Sequence, residues 1–453
     1  MTAPARTAAY HALRAIAGGR VDLPTALARS REHLADERDR SLAAEIVTGT
    51  LRWQRSLDHL IAHFAKRTVA RLDPEVVLVL RLSLYQLLHL SRVPASAVVD
   101  DAVDLTRGAR KPSATGFVNA VLRHTLRQRQ NLPLPARPGE TEGGTSHRAT
   151  VLAYLGITCS HPEWLVARWL DRHGFEATER WVQFNNETPL LTLRVNTLRA
   201  SRPEVLSILA ADGIDATPTR YAPNGLTVTA GHPLRQPLQG LFFVQNEASQ
   251  LVPLAVGARP GERVLDLCAS PGGKTTAMAA DMADSGTIVA CDVRPKRMVL
   301  LQETVRASGA SHVEQVQVRS VGALAFEPTF DRVLVDAPCS GLGTIRRDPD
   351  IRWRRTEADL PTLARAQIAL LTRAAEVVRP GGRLVYATCS SEPEENEQVV
   401  DAFLATHPAF TLLDLRTGND AAIAPLLDDR GMMRTLPFAH GLEAFFAAAL
   451  VKV

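Results

Sequence analysis

The sequence predicts a three-part chain: an all-α bundle, a small α+β module, and an α/β domain built on a parallel sheet. Three observations lead there. Through residues 5–130 apolar side chains recur at every third or fourth position, with few strand-like alternations. From about residue 258, short apolar runs alternate regularly with helical patterns, as a parallel sheet with helices on both faces requires. Between these regions, NLPLPARPGETEGGTSHR (131–148) is rich in Pro, Gly and polar residues without any period, and reads as a linker. The expected divisions are therefore 1–130, the linker 131–148, a module at 149–255, and a last domain at 256–453.

The first region carries the stretches LAAEIVTGTLRWQRSLDHLIAHF and PEVVLVLRLSLYQLLHLSRV and closes on the basic helix GFVNAVLRHTLRQR. A bundle is the natural way to bury such stripes. The chain has a formal net charge of only +4, but residues 1–130 hold twenty basic and twelve acidic side chains, a local surplus that favours a polyanionic partner. In the module, Ser160 of CSHPEWLVARWLDRHG is placed to cap a helix. LLTLRVNT and LTVTA read as strands, and RPEVLSILAADG as a helix ended by Gly213. A small α+β fold of the RNA-recognition kind fits this order. In the last domain the strands are RVLDLCA, TIVACDV, EQVQV, RVLVDAP and RLVYATC.

Composition removes several classes. The five cysteines, Cys159, Cys268, Cys291, Cys339 and Cys389, form no CxxC and make no zinc-like spacing with histidine. An odd number without a framework predicts free thiols in a reducing compartment. No apolar run reaches the roughly 18 residues of a membrane span, and the start MTAPARTAAYHALRAIAGG lacks a signal-peptide core. A cytoplasmic protein without metal is expected, acting as a monomer.

The chemistry collects where strands end. Ligands of open α/β sheets bind outside the carboxyl ends of the strands, and there the sequence reads DLCASPGGK, CDV, VDAPCSG and YATCSS. Gly272 and Gly273 lie between a strand and a helix, so backbone can approach a ligand and helix N–H groups point at it. A P-loop would need Gly where Cys268 stands, and GxGxxG is absent. Asp292, one strand later, can accept from a ribose diol. The combination predicts a nucleoside cofactor without a dominant phosphate, a description that S-adenosylmethionine meets. Cys339 and Cys389 each follow a strand closely; two thiols at one edge beside a cofactor loop point to reactive rather than packing cysteines. Five arginines in GTIRRDPDIRWRR, with a tryptophan, suggest a place for a phosphate backbone.

VLDLCASPGGKTTAMA, VLVDAPCSGLGTIRRDPDIRW and LVYATCSSEPEENEQVV resemble the motifs of the bacterial 16S ribosomal RNA cytosine methyltransferases, within the RsmB/NOP family of RNA 5-methylcytosine methyltransferases. ERDRSLAAEIVTGTLRW, LRLSLYQLLHLSRVPASAVVDDAVDL and GFVNAVLR resemble its N-terminal NusB-like RNA-binding domain, and LRVNTLRA and GLFFVQNEASQL its intervening segments. The resemblance implies a Rossmann-like S-adenosylmethionine methyltransferase domain acting on 16S rRNA or a small-subunit assembly intermediate. It further implies Cys389 as the nucleophile toward carbon 6 of cytosine, Cys339 as the residue resolving the adduct, and Asp336 at the base edge. The cofactor is implied at Cys268, Ala269, Ser270, Pro271, Gly272, Gly273 and Lys274, with Asp292, Arg297 and Asp336. Two positions depart from the pattern: Ser320 stands where an acidic residue is usual, and Glu443-Ala444-Phe445-Phe446 replaces DGFF.

Two other readings use the same residues. A non-catalytic RNA-binding or antitermination factor would rest on the helical domain alone, but has no need of two thiols beside PGGK. The same chemistry on transfer RNA or DNA keeps the site; a second cysteine in the TC motif favours RNA over DNA, and the NusB-like domain favours ribosomal RNA.

Overall fold

In a computed structural model the described residues are 2–139, 145–235, 238, 240–418 and 422–453. Part of the expected linker, 140–144, lies outside them. The chain divides into two compact units. The first comprises residues 1–187 together with 345–357, and the second comprises 188–344 and 358–453.

The first unit is helical. Its bundle contains Pro4–Ala17, Leu23–Glu32, Glu37–Arg52, Gln54–Ala65, Pro74–His89, Ala95–Gly108 and Thr115–Arg127. Starts follow local chemistry: the Asp22 carboxylate accepts the Thr25 N–H, and the Asp36 carboxylate that of Arg38. Pro74–His89 is apolar nearly all round, with Val76–Leu80, Leu82, Leu84, Tyr85 and Leu87 buried, as a central helix must be. Gly49 allows that helix to come close, since a Cβ there would collide with the Tyr85 ring. Two further helices, Thr145–Ala153 and Glu163–Asn186, complete the unit; the first begins inside the stretch read as linker.

Two expectations are corrected here. Ser160 caps nothing: its φ is +56° and its hydroxyl accepts the Arg55 backbone N–H, while the helix starts at Glu163 behind Pro162. Nor is Arg352, within the arginine-rich run, available to a phosphate backbone. It is fully buried, and its guanidinium donates to the carbonyls of Arg52, Ser160 and Asn185 and to Asn186 Oδ1. Burial lowers its pKa, and the acceptors around it are neutral dipoles. Trp353 Nε1 donates to the Leu51 carbonyl at 2.6 Å. His161, beside this cluster, is kept neutral by burial and by the Arg352 charge.

The second unit holds two sheets. One comprises β1 (Leu191–Val195), β2 (Asp215–Pro218), β3 (Gly225–Ala230) and β4 (Phe242–Val244), in the order β2-β3-β1-β4, antiparallel where the register is defined. Helix Arg202–Ala211 packs its Val205 and Leu209 into this module. It begins with a capping box between Ser201 and Glu204, and Gly213, at φ +70°, follows its end as read.

The other sheet comprises β5 (Arg263–Asp266), β6 (Thr287–Asp292), β7 (Val313–Gln317), β8 (Phe330–Asp336), β9 (Val378–Thr388), β10 (Phe410–Leu413), β11 (Met433–Thr435) and β12 (Phe445–Lys452). Its order is β10-β12-β9-β8-β5-β6-β7, with β11 also paired to β12. Strands β5 to β9 pair in parallel, while β12 runs antiparallel to β9 and β10. The sheet is thus mixed at one edge, where FFAAALVK supplies a strand buried on both faces. Alternation is strict: Leu265, Val289, Val333 and Leu384 enter one core, and Val264, Ile288, Leu334 and Val385 the other. From β5 the chain proceeds through β6 to β7 on one side, then crosses to β8 and β9 on the other. The switch point lies between β5 and β8, where a ligand crevice is expected. No helix among the described residues is long and apolar enough to cross a membrane.

Candidate active site

The loops that follow β5, β8 and β9 meet at this switch point. After β5, the chain turns at Gly272, whose φ of +107° is open to glycine, into helix Gly273–Asp281. Thr275, in the helix's first turn, donates to Asp266 Oδ2 at 2.7 Å and fixes the helix against the end of β5. Asp266 Oδ1 makes no hydrogen bond of good geometry. Burial, with repulsion from Asp336, pushes the Asp266 carboxyl up to about 7. Sequence reasoning missed Asp266, although an acid inside the apolar run VLDL was a signal.

Lys274 Nζ donates to Asp336 Oδ2, at the end of β8, at 2.6 Å. Burial works against the ammonium, but the Asp336 carboxylate outweighs it and holds Lys274 above its ordinary value. Lys274 also lies 5.8 Å from the centroid of Phe445. Asp292 ends β6, accepts the Arg294 N–H at 3.1 Å, and has Arg297 Nη1 at 3.7 Å. Ser270 Oγ donates to the Arg297 carbonyl at 2.9 Å, joining the turn to the helix after β6. Burial and the charges of Asp266, Asp336 and Asp292 together raise Cys268 far above a free thiol, so it stays neutral. The turn 268–274 therefore lies among three carboxylates. With Asp292 placed to accept from a ribose diol beside the tight turn at Gly272, these residues fit a sulfonium nucleoside.

The loops after β8 and β9 bring the two thiols together, with Cys339 Sγ and Cys389 Sγ 3.2 Å apart. The hydrogen bond with Cys389, burial and the Glu395 charge all raise the Cys339 pKa. Gly343 holds the loops in contact: its N–H donates to the Cys389 carbonyl at 2.9 Å and its carbonyl accepts from Ala444 N at 3.1 Å. A Cβ at Gly343 would collide with the Ala444 carbonyl. The Glu443-Ala444 departure thus sits directly on the Cys389 loop. Ser320 lies at a different place, exposed after β7, where Arg373 donates to the carbonyls of Arg319, Ser320 and Gly322.

The acidic run after Cys389 is divided between a turn and a helix. Glu394 and Glu395 belong to the short turn Pro393–Glu395, and only Glu397 opens helix Glu397–Thr406. Glu392 and Glu395 are wholly buried.

The chain is similar to known proteins over nearly its whole length. Residues 253–451 match the model of the 16S rRNA methyltransferase RsmB/F family, 3–127 that of the NusB family, and 161–235 that of the RsmF/B-like ferredoxin-like domain. The probable ribosomal RNA small subunit methyltransferase B of Bacillus subtilis is 34% identical, over 92% of this chain and 91% of its own. The ribosomal RNA small subunit methyltransferase B of Pseudomonas putida is 34% identical over 99% and 98%. Among solved structures, a methyltransferase homolog protein from Pyrococcus horikoshii superposes with a TM-score of 0.57 at 32% identity, covering 67% of this chain and 99% of that one. The chain belongs to the RsmB/F family of S-adenosylmethionine-dependent 16S rRNA methyltransferases.

Proposed function

We propose that the protein methylates carbon 5 of a cytosine in 16S rRNA through a covalent adduct on Cys389, acting in the cytoplasm as a monomer on the RNA or on an assembling small subunit. The observation that carries this reading is the pair of thiols 3.2 Å apart beside the Lys274–Asp336 ion pair. Carbon 5 of a free cytosine is a poor nucleophile, and addition of a thiolate to carbon 6 turns it into an enamine-like carbon. Cys389 makes that bond. Asp336, oriented by Lys274, hydrogen-bonds the base edge and stabilises the proton gained by the ring nitrogen as the thiolate adds. Cys339, adjacent to Cys389, takes the carbon 5 proton onto its thiolate after methylation; the electrons of that C–H bond re-form the carbon 5–carbon 6 double bond as the carbon–sulfur bond breaks and Cys389 leaves as a thiolate.

S-adenosylmethionine supplies an electrophilic methyl group when bound. Residues Cys268, Ala269, Ser270, Pro271, Gly272, Gly273 and Lys274 would line it, Asp292 would accept from the ribose, and Arg297 would support Asp292. A base must leave its stack to reach these thiols, so the substrate is a loop or an opened nucleotide. The test is methyl transfer from labelled S-adenosylmethionine to 16S rRNA, followed by nucleoside analysis. Label in 5-methylcytidine is expected; label confined to any other nucleoside overturns the proposal.

A further inference from the structure

Each reactive cysteine is followed by a serine, and both serines are tied to one carboxylate. Glu395 Oε1 accepts the Ser340 backbone N–H at 2.8 Å and Gln367 Nε2 at 2.9 Å. Its Oε2 accepts the hydroxyls of Ser340 and Ser390, each at 2.5 Å. An ionised carboxylate can only accept, so both hydroxyls donate to it; their oxygens in turn accept the N–H groups of Leu342 at 3.3 Å and Glu392 at 3.2 Å, and lie 3.2 Å from each other. A wholly buried carboxylate is costly unless its lone pairs are filled, and here four donors fill them. The turn that carries it is held in its own right: Tyr386 OH donates to the Glu395 carbonyl, and Asn396 accepts from Thr388 Oγ1 at 2.6 Å and donates to the Ser390 carbonyl at 3.0 Å.

The charges around the thiols are also unequal. Cys339 feels the Glu395 carboxylate and the Cys389 thiol, and lies near the Tyr386 phenol. Lys274, paired with Asp336, feels the charge of Cys389. The Glu395 charge thus acts on Cys339, while the Lys274–Asp336 ion pair lies toward Cys389.

We propose that Glu395 is a positioning residue of the methyl transfer, setting the separation of Cys339 and Cys389 through the serine after each and making the two thiols electrostatically distinct. The inference rests on Cys389 being the nucleophile. Glu395 is wholly buried and acts through the two serines. Without its charge, the two hydroxyls lose their common acceptor and Cys339 loses its anionic neighbour.

The experiment uses Glu395→Gln in the full-length protein, which keeps shape and removes charge. Three quantities are read: single-turnover methyl transfer, KM for S-adenosylmethionine and RNA, and the pH profile of iodoacetamide labelling at each cysteine by mass spectrometry. Expected are KM values within about 2-fold, a rate lower by about 100-fold as for a displaced reacting group, and Cys339 labelling at lower pH than in the wild type. A wild-type rate with an unchanged labelling profile overturns the inference. A residue that only stabilised the fold would leave the Cys339 profile where it was, and that result overturns it too. Should Glu395→Gln not fold, Ser390→Ala removes one of the four donors, and a rate unchanged from wild type again refutes the idea. Cys389→Ala, run in parallel, separates the two claims: retained transfer there defeats the nucleophile assignment, whatever Glu395 does.

Discussion

Cys339 and Cys389 lie fifty residues apart in the chain, yet their sulfurs are 3.2 Å apart. The loops after β8 and β9, strands that pair in parallel, deliver them to one place, and Gly343 locks those loops together.

Removing either thiol has a distinct outcome. On the proposed covalent route, Cys389→Ala is expected to lower methyl transfer to 16S rRNA by on the order of 1,000-fold or more. On the same proposal, Cys339→Ala is expected to retain adduct formation and stall at release. A protein–RNA band that survives denaturing gel electrophoresis is expected for Cys339→Ala and not for Cys389→Ala; the reverse pattern exchanges their roles.

Gly343→Ala drives a Cβ into the Ala444 carbonyl and against that of Cys389, both of them backbone. Since neither is the end of a flexible side chain, the loop bearing Cys389 must shift. A loss of about 1–3 kcal/mol is expected from overpacking, together with a fall in activity larger than the stability change explains. Denaturant unfolding and single-turnover transfer measured on the same preparation check both parts.

Asp266 makes stability depend on pH in a predictable sense. Its folded value of about 7 lies above the ordinary 3.8, so the folded state holds a proton that the unfolded chain releases. Its contribution is full below about pH 4 and is lost as pH rises toward 7, by at most about 4 kcal/mol. Asp266→Asn removes that slope. Urea midpoints taken across pH 4 to 8 should converge toward the acid end and diverge toward neutrality, with the wild type the more pH-dependent protein.

Arg352→Met tests what the arginine-rich run does. Buried carbonyls of Ser160 and Asn185 lose their donor, so the first unit is destabilised by about 1–3 kcal/mol. Binding of 16S rRNA should keep the same dependence on salt, because a buried guanidinium releases no counterions. A shallower slope of affinity against salt concentration would return Arg352 to the RNA surface.

Much of this was legible in the sequence for physical reasons. Strand interiors alternate, and an apolar run that breaks at Asp266-Leu267-Cys268, Asp292, Asp336 or Thr388-Cys389 announces a carboxyl end. The Gly272 turn was visible because few other residues tolerate its φ. What stayed hidden depended on partners remote in sequence. Glu395 sits in a run of acids that suits a helix start equally well, and only the serines and Gln367 around it make it structural. Ser160 has the composition of a cap, but its hydroxyl is taken by Arg55, 105 residues upstream. The antiparallel edge was not legible because Phe445–Lys452 is apolar up to its last residue and shows no period. Arg352 looked like surface charge because nothing local reveals that residues 345–357 belong to the helical unit.

That last assignment bears on how such a protein can be divided or recombined. The first unit is assembled from two stretches of chain, and the smaller one is spelled inside the sequence of the second unit. A fragment starting at Thr188 would carry Arg352 and Trp353 with their partners Arg52, Leu51 and Ser160 missing, and a fragment ending at Glu187 would lack the plug they form. Inheritance of the helical unit is therefore not a matter of joining a leading exon-like block to a catalytic one. Any exchange of that block between relatives has to carry thirteen matching residues with it.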